Sequence, residues 1–284
     1  MDYFEERPAS SYTRAMSELS QRQQGTSVGA LLRYWRTIRR LSQLALAMEA
    51  QISARHLCFI ETGRAKPSRD MLRLLAEVLD IPLRERNSLF LAAGFAPVYA
   101  ESALDEPMLR SVQSALSAIL RQQEPFPAVL MNRNWDILDT NQAATRFFGF
   151  LLGSRPQPAV PNVLRLMFDP EGLRPYVSNW PAVAEALVGR LRRESVGGVP
   201  DDAGKHLLAE ILAYPGVPAN LHTNAVGLNV PVVPVSFTKD AITFNYFSTV
   251  TTLGTPQDVT AQEIRLECFF PLDDETAQRA RELT

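Results

Sequence analysis

Residues 42–69 carry the side chains whose chemistry is easiest to assign. Arg55 has the forked donors that match a guanine edge, Gln43 can bond a phosphate or an adenine, and Phe59 can touch a thymine methyl. Ser53, which can cap the same helix, and Ala54 and His56, shared between its flank and outer face, stand beside Arg55. Arg64, Lys66 and Arg69 follow, where cations neutralise phosphates and set register without reading sequence. Each arginine taken alone is more simply a solvated helix face. Their clustering around one motif is what points to double-stranded DNA. Phe59 divides evenly between core packing and DNA contact, because a phenylalanine is costly to leave exposed.

Such side chains work only if a helix holds them against a groove. Two helices of about eight residues, joined by a turn of a few, put the second into the major groove while the first crosses the backbone. Residues 42–63 fit this plan. Ser42 can cap one helix and Ser53 the next, with a turn at Ala50, Gln51 and Ile52 and a stop at Thr62 and Gly63. Leu57 and Ile60 fall on the inward face of the second helix. A preceding helix is marked by Val28, Leu31, Leu32, Trp35 and Ile38 at three- and four-residue spacing. Another begins at Pro67 and Ser68, and a fifth runs from near Pro82 to about Gly94. Five short helices over residues 27–97 predict one all-α domain.

Charge agrees with this division. The formal net charge of -2 gives no global sign of a nucleic-acid binder. Residues 27–73, however, carry nine basic against three acidic side chains, a net of +6, leaving about -8 elsewhere. Residues 1–26 are polar without an apolar period and read as a flexible arm. Two cysteines, Cys58 and Cys268, support neither a disulfide framework nor a multi-cysteine metal site, so the cytoplasm is the expected location. No leader pattern and no membrane-crossing apolar run appears, and no membrane association is expected.

With 284 residues there is room for a second domain. Residues 98–124, with Pro97, Pro107, Pro125 and Pro127 around a helix at 108–122, read as a linker helix. Residues 125–275 combine strands at 128–139, 230–237, 242–250 and 263–270 with helices at 140–148, 161–167 and 180–193. This predicts an α+β domain with helices to one side of an antiparallel sheet, and 276–284 as a tail. The chain is thus multidomain, α followed by α+β. An apolar pocket in the second domain would be lined by Phe147, Phe148, Leu166, Phe168, Trp180, Leu187, Phe247 and Phe269. Asn179, Thr249 or an arginine from 190–193 would meet a polar head. Such a lining favours a small lipophilic, fatty-acid-like ligand, although most aromatics taken singly are simply core.

Enzyme signatures are weak. Gly198 and Gly204 are separated by five residues where a phosphate loop needs four, and His206 stands where that loop needs Ser or Thr, so residues 197–206 read as a polar loop. His56, His206 and His222 lack metal-ligand spacing, and neither a metal nor a cofactor is expected. The second domain could still act on its ligand, or serve as a partner-binding or dimerisation module.

The residues Ser42-Gln43, Leu46-Ala47, Ser53, Leu57, Ile60-Glu61, Gly63-Arg64 and Pro67-Ser68 resemble the Cro/repressor-type (XRE) helix-turn-helix family, which usually has Gly where this chain has Gln51. Residues 53–68 (SARHLCFIETGRAKPS) and 81–99 are similar, more narrowly, to MmyB-like regulators. The similarity continues in residues 162–168 (NVLRLMF), Asn179-Trp180, 247–258 (FSTVTTLGTPQD) and 267–271 (ECFFP). This resemblance implies a lambda-repressor-like reader followed by a PAS-like sensor domain, not an enzyme, acting in the cytoplasm as a homodimer.

Overall fold

The computed structural model describes residues 27–153, 155, 160–196, 202–217 and 232–283. The predicted arm at 1–26 lies outside the described residues. The chain divides into two units, one ending at Ala100 and the other beginning at Glu101.

In the first unit, four helices open on a serine. These are α1 (Val28–Ile38), α2 (Gln43–Glu49), α3 (Ala54–Glu61) and α4 (Arg69–Val78). The hydroxyls of Ser27, Ser42, Ser53 and Ser68 each accept the backbone N–H three residues on, at 3.0–3.2 Å. Each cap satisfies a donor that the first helical turn cannot. The fifth helix, α5 (Leu83–Ala92), follows Pro82. All five stop the same way, on a residue with positive φ just past the end: Arg40, Gln51, Gly63, Asp80 and Gly94. The core holds Leu32, Trp35, Leu46, Leu57, Ile60, Leu75 and Phe90, all fully buried. Gly29 lets α1 lie against the end of α3, since a Cβ there would stand 2.5 Å from the carbonyl oxygen of Ile60.

Gln51, in the turn between α2 and α3, has φ 54°. A side chain in this left-handed region costs about 1–2 kcal/mol, partly offset in the glycine variant by greater unfolded-state entropy. Gln51→Gly is therefore expected to stabilise the first unit by about 0.5–1 kcal/mol, read as slower global-opening exchange of the α2 and α3 amides. Unchanged or faster exchange would show that the glutamine side chain offsets its own backbone strain.

The second unit begins with a 3-10 turn (Pro107–Leu109) and α6 (Arg110–Gln122), then β1 (Ala128–Met131), β2 (Ile137–Thr140), α7 (Gln142–Leu152) and α8 (Val163–Phe168). After a second 3-10 turn (Arg174–Tyr176) come α9 (Trp180–Val196), α10 (Asp202–Ala213), β3 (Val235–Lys239), β4 (Ile242–Thr251), α11 (Val259–Glu263), β5 (Arg265–Pro271) and α12 (Asp274–Glu282). The strands form one antiparallel sheet in the order β2-β1-β5-β4-β3, so the last strand of the chain pairs with the first.

Strand alternation separates two cores. Val129, Met131, Phe237, Phe244 and Tyr246 turn to one side, where Phe147 of α7, Leu164 and Phe168 of α8, and Val183 and Val188 of α9 meet them. Ala128, Leu130, Leu266 and Cys268 turn to the other, against Leu116 and Leu120 of α6. Helices therefore cover both faces of β1 and β5, not one side as the element order suggested. The helix predicted as a linker packs on the sheet because its Leu116 and Leu120 are core residues. Residues 276–284, predicted as a tail, mostly belong to α12, which buries Thr276 and Ala280 and donates no apolar run that sequence periodicity could detect. Asp202–His206, read as loop, lie in α10, while 197–201 fall outside the described residues. The strand expected at 230–237 starts at Val235, and its first two predicted positions also lie outside the described residues.

Candidate functional sites: a helix-turn-helix face and an apolar cavity

The helix α3 turns Leu57 and Ile60 inward and leaves Arg55 exposed, with Ala54, His56 and Phe59 half-buried. Ser53 is exposed, but its hydroxyl is occupied in capping α3 through the His56 amide at 3.1 Å. The guanidinium of Arg55 lies 5.3 Å from the Phe59 ring centre and that of Arg64 lies 6.0 Å from it. Phe59 is thus neither core nor free; it is a partly covered platform for two cations. Lys66 is exposed, and Arg69, at the start of α4, stands 5.9 Å from the Phe90 ring.

Behind this face lies an ion pair that sequence spacing did not single out. Glu61, the last residue of α3, has a side chain only 1% exposed. Its carboxylate accepts Arg36 Nε at 2.6 Å and Nη2 at 2.9 Å, a bidentate contact, and Gln43 Nε2 at 2.8 Å. Arg36 also donates to the Leu41 carbonyl at 2.8 Å. One carboxylate therefore fastens α1, the start of α2 and the end of α3. Burial works to raise the Glu61 carboxyl; hydrogen bonds from Arg36 and Gln43, with the charges of Arg36 and Arg33, outweigh it and hold the group below the usual carboxylate range. Gln43 is half-buried, with one amide donor committed to Glu61.

In the second unit, a cavity of about 290 Å³ lies between the inner sheet face and helices α7, α8 and α9. Four expected residues line it: Phe148, Leu166, Leu187 and Phe269. Val129, Met131, Ile137, Met167, Val183 and Phe237 add to an apolar wall. Arg190 and Arg193 also line it, within the stretch named for a polar head, as do Ser248 and Glu267, which sequence reading missed.

The other expected lining residues lie elsewhere. Phe147 is buried behind the wall, its ring 5.2–5.5 Å from those of Phe237, Phe244 and Tyr246. Phe168 is fully buried with its ring edge-on to Trp180, 4.9 Å between centres. Trp180 in turn carries the Arg174 guanidinium at 5.1 Å. Asn179 spends its amide on the chain entering β3, donating to the Pro234 carbonyl at 2.8 Å and accepting from Ser236 N at 3.0 Å. Phe247 and Thr249 alternate with Tyr246 and Ser248 and so point away from the cavity; Phe247 stacks on Phe270 at 5.5 Å.

A signal for the missed pair did exist: Glu267 is a charged residue inside the apolar run of β5, and Ser248 holds the corresponding face of β4. Alternation would have turned both inward with Phe269 and Tyr246. Of the histidines, His56 is half-buried on α3, His206 is exposed on α10, and His222 lies outside the described residues. Among the described residues no cluster of three or more His, Cys, Asp or Glu is placed to hold a metal, and no helix is long and apolar enough to cross a membrane.

Both regions have counterparts among known families. A helix-turn-helix model matches residues 32–86, which contain α2 and α3. The MmyB-like transcription regulator ligand binding domain matches residues 112–283, from within α6 through α12 and therefore around the whole cavity. No curated relative matches the chain. The exposed α3 face sits in a helix-turn-helix and the cavity in a ligand-binding domain that covers more than half of the sequence; the chain belongs to the MmyB-like transcription regulators.

Proposed function

We propose that this protein, acting in the cytoplasm as a homodimer, binds operator DNA through α3 and is regulated by a small lipophilic, fatty-acid-like ligand in the cavity of its second, PAS-like unit. Arg55, with Phe59, Ala54 and His56 around it, reads base edges, while Gln43, Ser53, Arg64, Lys66 and Arg69 meet the backbone or its immediate neighbours. The observation that carries the ligand reading is the cavity itself. Its wall is aliphatic and aromatic, and its few polar groups include Arg190 and Arg193. That is the general form of a site for an apolar molecule with one polar end. The role of the second unit is to bind its ligand, not to transform it.

Ligand would act by favouring one arrangement of the two copies. Half-sites one helical turn apart require a recognition-helix spacing of about 34 Å, so a change in that spacing lowers specific affinity. Native mass spectrometry of the purified protein, then organic extraction, tests the ligand reading. A retained apolar acid is expected. Ala186, on the cavity wall, should give a variant, Ala186→Phe, that is folded but retains less of it. An empty wild-type protein with no saturable binding of dodecanoate would overturn this reading and leave the DNA-binding face as it stands.

A further inference from the structure

The cavity contains a feature that an unsubstituted fatty acid does not need: a carboxylate. Glu267 is 8% exposed and lines the wall from β5, between Leu266 and Cys268, which face α6. Its Oε1 accepts the Ser248 hydroxyl at 2.6 Å and its Oε2 accepts Arg190 Nη1 at 3.3 Å. A carboxylate has about four lone-pair sites, and here two are used. Ser248 has given its single proton to Glu267, so towards the cavity its oxygen offers only lone pairs.

The neighbouring charges are matched in pairs. Arg190 Nε donates to Glu194 Oε1 at 3.0 Å, and its guanidinium lies 4.3 Å from the Trp135 ring centre. Glu194 Oε2 also accepts Arg265 Nη1 at 2.6 Å and Trp135 Nε1 at 3.1 Å. Arg190 and Arg265 thus balance Glu194 and Glu267. Arg193, one helical turn on from Arg190, lines the cavity with no ion pair among the described residues. The polar lining therefore presents one unbalanced cation and, at Ser248 and Glu267, a set of spare acceptors. A lone carboxylate head satisfies the cation, but it has no proton for those acceptors and is repelled by Glu267.

We infer that the cavity selects a hydroxylated fatty acid over the unsubstituted acid, its carboxylate facing Arg193 and its hydroxyl donating its one proton into the acceptor pair of Ser248 and Glu267, which act as the specificity residues. This rests on the ligand-binding reading above. A buried hydroxyl donating to a charged acceptor distinguishes a ligand from its deoxy analogue by about ten-fold or more, because the site's acceptors otherwise lose their partner.

Calorimetric titration of the full chain with dodecanoate, 2-hydroxydodecanoate and 3-hydroxydodecanoate is the test. One hydroxy acid should bind at least about ten-fold more tightly than dodecanoate. Ser248→Ala should reduce that ratio to a few-fold while leaving dodecanoate affinity nearly unchanged; Glu267→Gln should reduce it in part by binding dodecanoate more tightly, since the repulsion is gone; and Arg193→Gln should weaken all three acids alike. Ser248→Ala, which removes one hydroxyl and no charge, carries the test should Glu267→Gln disturb folding. Equal binding of the three acids by the wild type, or a preference that survives Ser248→Ala, would overturn the inference. Failure of all three acids to bind would instead take down the ligand-binding reading on which it rests.

Discussion

Arg55→Ala is expected to lower affinity for the preferred DNA sequence by about 1–3 kcal/mol while barely changing affinity for random duplex. The preferred sequence can be selected from a randomised library with the wild-type protein, and the two titrated side by side. The reasoning is geometric. Arg55 is exposed on α3 and its guanidinium is held 5.3 Å from the Phe59 ring, so less rotamer entropy is lost when it meets a base edge. Lys66 is exposed beyond the end of α3 and carries a point charge suited to a phosphate. Lys66→Ala should weaken binding to all sequences to the same degree and reduce the slope of log affinity against log salt by about one. Equal losses on preferred and random DNA for Arg55→Ala would assign it to the phosphates and move base reading to another residue of α3.

The first unit was legible in the sequence because its signals are local. A serine before four of the five helices both starts the helix and fixes its phase, so Leu57 and Ile60 could be placed inward without knowing any neighbour. Gln51 shows the limit. Its turn is the one its neighbours demand, and a residue other than glycine takes the strained conformation because the helices on either side determine it.

In the second unit the decisive facts are non-local. Phe147 and Phe148 are adjacent on α7, yet one is sealed behind three aromatic rings and the other lines the cavity. No spacing rule separates a core ring from a lining ring, since the difference is whether a distant strand fills the space in front of it. Phe247 and Thr249 illustrate a second ambiguity. Both faces of β4 carry residues suited to burial, so the inward phase is set by pairing with β5, not by composition. The helices α10 and α12 escaped because Gly204 and a polar start disguise one and charged residues dominate the other.

A severe loss of stability in the first unit is expected from Glu61→Ala. With Glu61 1% exposed and Arg36 13% exposed, removing the carboxylate leaves a guanidinium largely shielded from water, retaining only the Leu41 carbonyl among the contacts described above. Breaking such a pair from one side costs about 3–5 kcal/mol, a large share of the stability of a small domain. Glu61→Gln should cost less, since an amide fills the same space and its oxygen still accepts. Acid supplies an independent check on the same contact. Because the folded carboxyl lies below its ordinary value of 4.5, its contribution is fully present above that pH and is lost as pH falls through the lower folded value. Protection of the α1 and α3 amides in the full chain, taken relative to the intrinsic exchange rate at each pH, should therefore fall on acidification below about 4.5 in the wild type, and more weakly in Glu61→Gln. Identical acid profiles would place the proton uptake at other carboxylates and reduce the Arg36–Glu61 contact to a packing role. If the profiles differ as expected, α3 owes its position beneath the reading face to a charge pair that connects it to α1, and Gln43 is held by the same carboxylate before any DNA arrives.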